Sequence, residues 1–239
     1  SRQTYVTGMA VAKAAQELKD KICRAADKFY KIPYQVLDVE DAYVVNVTTG
    51  ARVAPLGDLA LRTYYDKARA ETLTAEVSHN CHNNSYPMGV TFAEVEADTQ
   101  TGAVTILSLL NVHDSGVIIN PILAEGQVEG GMGMGVGFAM AEDLIYDTKT
   151  GAPLNNNLLD YKMPTFMDMP ELDTMFVEPV DPYGPFGAKG LGEPPLCSPA
   201  AAIRNAVCNA LGFEINELPL TPGKVYAAIA AAKEAKHNV

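Results

Sequence analysis

Between Gly187 and Pro195 the chain runs Gly-Ala-Lys-Gly-Leu-Gly-Glu-Pro-Pro, which sets one carboxylate, Glu193, among three glycines and two prolines. Core building does not ask for that combination. Glycine lets a backbone take positive φ and approach another body closely. Pro194 disfavours helical backbone at the residue before it, so Glu193 is expected in extended geometry. Pro195 stiffens the exit. A rigid loop that aims one acid at one place suits a general base, a metal ligand or a substrate clamp. The bland alternative is a surface turn with an exposed glutamate.

A second chemical stretch is Gly126-Gln127-Val128-Glu129-Gly130-Gly131-Met132-Gly133-Met134-Gly135-Val136-Gly137. Each interior glycine costs a helix about 1 kcal/mol relative to alanine, so something must offset the loss. Either the backbone packs very close to another helix, or it lies along a planar or phosphate-bearing cofactor. In the second case Gln127 supplies an amide that both donates and accepts. The run is not a dinucleotide fingerprint, because no strand with a GxGxxG turn precedes it and no ribose-binding acid follows. Gln127, Glu129 and Glu142 exclude a membrane dimerisation motif. At the other end of the chain, Ser1-Arg2-Gln3-Thr4 places hydroxyls, an amide and a guanidinium just before a helix, a setting for an anion or for an ordinary frayed terminus. His79-Asn80-Cys81-His82, with His113 elsewhere, has metal-binding side chains at a spacing that fits no common site, so structural histidines are expected there. Met132, Met134 and Met140 read as packing residues.

The elements that must carry these groups follow from periodicity. Val11, Ala15, Leu18, Ile22, Ala25 and Phe29 predict a helix with one buried stripe. Tyr34–Val47 predicts two short strands with a turn at Asp41, and residues 48–88 predict loops around a short helix. Val90–Ala97 and Val104–Val112 predict a hairpin closed by Asp98-Thr99-Gln100-Thr101-Gly102. Residues 147–173 read as an irregular connection, and Thr174–Val177 as a further strand. Ser198-Pro199 opens a helix that Gly212 ends, and Thr221-Pro222 opens the last one. Helices and strands mix without regular βαβ alternation, which predicts an α+β fold.

With 239 residues, 48 % of them hydrophobic, the chain can bury one large core or two small ones. Residues 1–239 are expected to form one domain, with no boundary visible between any two subdomains. The net charge is −11 and no basic stripe is present, which argues against a nucleic-acid partner. No apolar run reaches membrane-spanning length and no leader is visible, so a soluble, cytoplasmic protein is expected. Cys23, Cys81, Cys197 and Cys208 form no CxxC pair, consistent with reduced thiols. The opening residue, Ser1, is expected to mark a processed chain or part of a larger gene product.

Taken together, these motifs resemble the molybdenum hydroxylases, the xanthine dehydrogenase and aldehyde oxidoreductase family. The Gly187–Pro195 loop resembles that family's active-site loop. Ile119-Asn120-Pro121 followed by Gly126-Gln127-Val128-Glu129-Gly130-Gly131 is a second match, and Ser1-Arg2-Gln3-Thr4-Tyr5-Val6-Thr7-Gly8 a third. The resemblance covers the C-terminal part of the large molybdopterin-binding subunit, with mixed and antiparallel strands packed on helices. It points to a split-gene subunit of the xanthine or nicotinate dehydrogenase type, or to a cut chain.

The resemblance implies hydroxylation of an electron-poor carbon of an N-heteroaromatic ring with water-derived oxygen, with aldehyde oxidation or a non-catalytic scaffold as alternatives. It implies Glu193 as catalytic base. Ser1, Arg2, Gln3, Gln127, Lys189 and Gly190 become cofactor contacts, and Phe186 and Gly187 edges of the substrate pocket. Molybdenum would be held by the pterin dithiolene rather than by side chains, with the pterin either plain or a dinucleotide. Partial burial is expected to raise the pKa of Glu193. Fe–S clusters and FAD are expected on partner chains, since no cysteine pattern here binds a cluster. A further chain is expected to supply the rest of the large subunit.

Overall fold

The computed structural model describes residues 2–68 and 70–237, the side chains of the last two excepted. It divides into two compact units, one of Ser1–Tyr5 with Asn83–Val239 and one of Val6–His82. Helices and two small sheets make the fold α+β.

The Val6–His82 unit holds most of α1 (Gln3–Tyr30), an antiparallel sheet of β1 (Leu37–Glu40), β2 (Tyr43–Asn46) and β3 (Arg52–Pro55), and α2 (Leu56–Tyr64). Asp41 and Ala42 take φ of 47° and 62°, the left-handed pair that a tight two-residue hairpin turn requires. The turn at Asp41 is therefore as predicted. Its core joins Ile22, Cys23 and Ala26 of α1 to Leu37, Val44 and Leu59. The predicted helix stripe is only partly right. Ile22 is buried and Leu18, Ala25 and Phe29 pack beside it, but Val11 is 62 % exposed. The buried face is centred on Cys23 and Ala26, which a stripe counted from Val11 leaves out. Strand β3 lies in the stretch predicted as loops; Asn46 builds the turn into it by accepting from the N–H groups of Thr48 and Thr49.

The larger unit is organised on β4 (Met88–Ala97), β5 (Val104–Asp114) and β6 (Glu171–Phe176). β4 and β5 form the predicted hairpin, antiparallel from Met88↔Asp114 to Ala97↔Val104. Asp98 closes the turn, accepting from the backbone N–H of Gln100 and the hydroxyl of Thr101, both at 2.7 Å. β6 lies parallel to β5, so this sheet is mixed, and it begins earlier than Thr174. The glycine-dotted stretch is one helix, α3 (Pro121–Met140), capped by the Asn120 side chain on the Leu123 N–H. A short α4 (Pro194–Cys197) leads into α5 (Pro199–Leu211), which ends at left-handed Gly212, and α6 (Pro222–His237) closes the chain. One buried cluster joins Leu109 of β5 to Val128, Met132, Val136 and Ala139 of α3 and Ile203 of α5. A second joins Val207 and Cys208 of α5 to Leu220, Val225 and Ile229. Two faces of α3 thus differ: one is core, the other carries exposed Ile122, Leu123 and Gln127.

Candidate active site

Residues 184–198 cross the C-terminal end of β5, and the strand end fixes their path. Gly116 and Ala188 form an isolated antiparallel bridge, and the Lys189 N–H donates to the Ser115 carbonyl at 2.7 Å. The Gly187 carbonyl accepts from the N–H groups of Val117 and Asp181 at 2.9 and 3.0 Å. A side chain at Gly187 would meet Val117 Cγ2 at 2.9 Å and Val180 Cγ1 at 3.0 Å, and its φ of 86° is left-handed. Phe186, at φ 54°, shares that conformation, an arrangement that costs a non-glycine residue about 1–3 kcal/mol and clusters at functional sites.

Lys189 reaches Asp114, the last residue of β5, with Nζ 2.6 Å from Oδ2; both side chains are nearly buried. Its ammonium also lies 3.4 Å from the Tyr86 carbonyl. The neighbouring Gly190 N–H donates to the Ser85 hydroxyl at 3.1 Å. Gln127 donates Nε2 to the Gly192 carbonyl at 2.8 Å, so α3 grips the residue directly before Glu193. Behind the acid, a Cβ on Gly131 would meet Pro195 Cβ at 2.7 Å, and one on Gly135 would meet Pro199 Cβ at 2.6 Å. Two of the helix glycines therefore exist for close packing against the acid-bearing segment. Under it, the hydroxyls of Thr91 and Ser198 are hydrogen-bonded at 2.7 Å, and Asn111 Nδ2 donates to Thr91 Oγ1 at 3.1 Å.

Glu193 itself has φ −83° and ψ −26°. The expected extended geometry is thus corrected: the acid sits in the helical region at the head of α4. The preference imposed by Pro194 is overridden by the contacts that hold Gly192 and Pro195. Ser198 likewise has φ −101° and ψ −26°, and its hydroxyl bonds Thr91 rather than capping α5. Glu193 is exposed in this chain.

A cleft of about 270 Å³ opens beside the loop. Val117, Ile118, Ile119 and Leu191 give it apolar walls; Ser115, Gln127, Lys189 and Thr4 give it polar edges. Ser115 is 2 % exposed and its hydroxyl has no hydrogen-bond partner. A second cleft, about 240 Å³, is lined by Arg2, Tyr5, Asn83, Asn84, Ser85 and Gly190. The structure therefore brings Gln127 and Lys189 to one cleft and Arg2 and Gly190 to the other. Gln3 is the first residue of α1 and exposed. Ser1 lies outside the described residues. Glu193, Phe186 and Gly187 line neither cleft.

Sequence reasoning missed Asp114, Ser115, Ser85 and Asn111. The signals were His113-Asp114-Ser115-Gly116, a polar run closing an apolar strand, and the polar run His79–Ser85. His113 is fully buried with both ring nitrogens unpartnered, and burial pushes its pKa below the ordinary value against the opposing pull of Asp114. Among the described residues no group of three His, Cys, Asp or Glu could hold a metal. Instead, His79 Nδ1 lies 2.9 Å from Lys13 Nζ.

Residues 1–170 match the model of the molybdopterin cofactor-binding domain. The chain belongs to that family. It is 46 % identical over 227 residues to the putative xanthine dehydrogenase molybdenum-binding subunit of Escherichia coli K12, covering 95 % of this chain and 30 % of that one. It is 39 % identical over 135 residues to the aldehyde oxidoreductase molybdenum-binding subunit of the same organism, covering 56 % and 18 %. The quinoline 2-oxidoreductase of Pseudomonas putida 86 superposes with a TM-score of 0.86 at 27 % identity, covering 96 % and 30 %. The chain thus spans under a third of the length of these relatives. The cleft beside the loop offers branched aliphatic walls and, at its edge, the Gln127 amide and the unpartnered Ser115 hydroxyl.

Proposed function

We propose that this chain is the C-terminal part of the molybdopterin-binding subunit of a molybdenum hydroxylase acting on an electron-poor carbon of an N-heteroaromatic substrate. The 46 % identity over nearly the whole chain to a xanthine dehydrogenase subunit supports that ring class over aldehydes. The observation that carries the reading is Gln127. One side chain both lines the larger cleft and fixes, at 2.8 Å, the carbonyl next to Glu193. Cofactor position and acid position are therefore set by the same residue.

When bound, the molybdenum pterin supplies the oxygen-transfer and two-electron chemistry. The chain's residues do the rest. Gln127 keeps its side-chain carbonyl oxygen and a second N–H for a pterin edge while one N–H is committed to Gly192. Ser115 offers a hydroxyl whose burial without a partner costs about 1–3 kcal/mol, a cost a ligand acceptor or donor removes. Arg2 and Gln3 would contact phosphate, whether of a plain pterin or a dinucleotide, and Ser1, outside the described residues, is assigned to the same group. Gly190 and Lys189 shape the wall between the clefts, with the Lys189 charge balanced by Asp114. Glu193 accepts a proton on its carboxylate, and Phe186 and Gly187 border the substrate. A further polypeptide, Fe–S clusters and FAD on partner chains complete a cytoplasmic complex.

Ser115→Ala tests the cofactor site with two opposite readouts. The variant of the complete protein, freed of cofactor, should be as stable as the parent or more so by up to about 1 kcal/mol, since an unpaired buried hydroxyl is gone. Its retention of molybdenum and pterin on gel filtration should fall several-fold. Unchanged retention would reject the cleft as the pterin site.

A further inference from the structure

The acid-bearing turn is anchored at three-residue intervals. Gln127 holds the Gly192 carbonyl at 2.8 Å, and Pro195 seats against Gly131. The third anchor is Ser198, the residue that closes α4, and it is tied to the sheet. Its hydroxyl lies 2.7 Å from Thr91 Oγ1 on β4, and Asn111 Nδ2 on β5 donates to that same Thr91 oxygen at 3.1 Å. The Asn111 Nδ2 is also 3.5 Å from the Pro195 carbonyl oxygen. Thr91 and Asn111 are direct partners across the β4–β5 pair, so the strand register sets them side by side.

Packing alone does not choose these side chains. Ser198 stands at the head of α5, where its oxygen would ordinarily accept from a first-turn N–H. No such bond forms, and α5 goes without that cap. Asn111 is fully buried with Oδ1 unpartnered, where an apolar side chain of the same shape avoids the desolvation penalty. Two local rules broken together beneath one acid mark a functional site. We infer that the chain Asn111–Thr91–Ser198 is a positioning device for Glu193, fixing the far end of its turn to the sheet while Gln127 fixes the near end. The three side chains act through the backbone of residues 193–198. With both ends held, the turn cannot carry the carboxylate aside, and a 1 Å misplacement of a reacting group costs about 100-fold in rate. The inference rests on the reading of Glu193 as the base of a molybdenum hydroxylase.

The test uses the complete, cofactor-loaded protein carrying Ser198→Ala or, separately, Thr91→Val, which keeps the side chain's shape and removes its hydroxyl. On an N-heteroaromatic substrate kcat should fall at least ~10-fold with KM within about twofold of the parent, at unchanged molybdenum and pterin content. Thr91→Ser restores the hydroxyl and should return kcat to within about threefold of the parent. Thr174→Val is the control. Thr174 pairs with Asn111 from β6 and its hydroxyl is buried, but it is bonded to nothing in the turn, so turnover should stay within about twofold. Hydrogen exchange reads the anchor without turnover: the Leu196 N–H, bonded to the Glu193 carbonyl at 3.0 Å, should exchange at least ~10-fold faster in Ser198→Ala and Thr91→Val. Parental kcat in both variants, no recovery in Thr91→Ser, or an equal loss in Thr174→Val overturns the proposal. A parent that holds no molybdenum and turns over no such substrate rejects the functional reading, and faster Leu196 exchange in the two variants then keeps the anchor. A loaded, active parent whose variants match it in kcat and exchange does the converse.

Discussion

Gly131→Ala separates helix stability from acid placement. In a helix interior this change gains about 1 kcal/mol of propensity. Here the new Cβ would lie 2.7 Å from Pro195 Cβ, 3.1 Å from the Pro195 carbonyl carbon and 3.2 Å from the Leu196 nitrogen. Two of these atoms are backbone and the third belongs to a rigid ring, so α4 must retreat by about 1 Å to reach ordinary contact. Such overpacking costs about 1–3 kcal/mol, so the net loss of stability should be about 0–2 kcal/mol. A 1 Å misplacement of a reacting group costs about 100-fold in rate, and Glu193 heads the displaced turn. Steady-state kinetics on an N-heteroaromatic substrate should therefore show kcat down by about 100-fold while thermal unfolding shifts little. Gly133→Ala is the control, because its Cβ would meet only the flexible Met169 thioether, at 3.4 Å. That variant should be slightly stabilised, with turnover within about twofold of the parent. Parental turnover in Gly131→Ala, or an equal loss in Gly133→Ala, would refute the reasoning.

Two further outcomes probe the strand end. Lys189→Met leaves Asp114 charged and nearly buried, and should destabilise by about 3 kcal/mol in urea unfolding; adding Asp114→Asn should recover at least about 1 kcal/mol, and strict additivity would mean the pair is not coupled. His113 sets a pH dependence. Burial holds its folded pKa below the unfolded value near 6.5, so as pH falls below about 6.5 the unfolded chain takes up the proton first. The stability linked to His113 is then complete above about pH 6.5 and drains away below it, at up to about 1.4 kcal/mol per pH unit. His113→Leu should flatten that part of the urea-midpoint profile between pH 7.5 and 5.5; identical slopes would show that the imidazole is not the cause.

What the sequence reveals is local. The hairpin of β4 and β5, the Asp41 turn, the Pro199 and Pro222 helix starts and the Gly212 stop all follow from residues within a few positions of one another. The glycine helix shows the limit. Its cost can be read from composition, but its partners, Pro195 and Pro199, lie far along the chain, so close packing and cofactor contact stay undecided until the fold joins them. Glu193 shows the same limit in reverse: the rule about Pro194 is local, and the bond from Gln127 to Gly192 and the Gly131–Pro195 packing override it. Ser115 and Asp114 carry no pattern of their own, since their importance comes from Lys189 and the cleft meeting them at the end of β5. Strand β3 was hidden because its four residues, Arg52–Pro55, carry a charge and a proline and little alternation, although the turn from Asn46 to left-handed Gly50 has the form of Asp98–Gly102.

The most direct measurement is turnover of the complete, cofactor-loaded protein bearing Glu193→Gln, which keeps the shape of the side chain and removes its basicity. With molybdenum and pterin content equal to the parent, kcat should fall at least ~100-fold, the scale of lost acid–base catalysis. Near-parental turnover at full cofactor content would contradict the assignment of the acid.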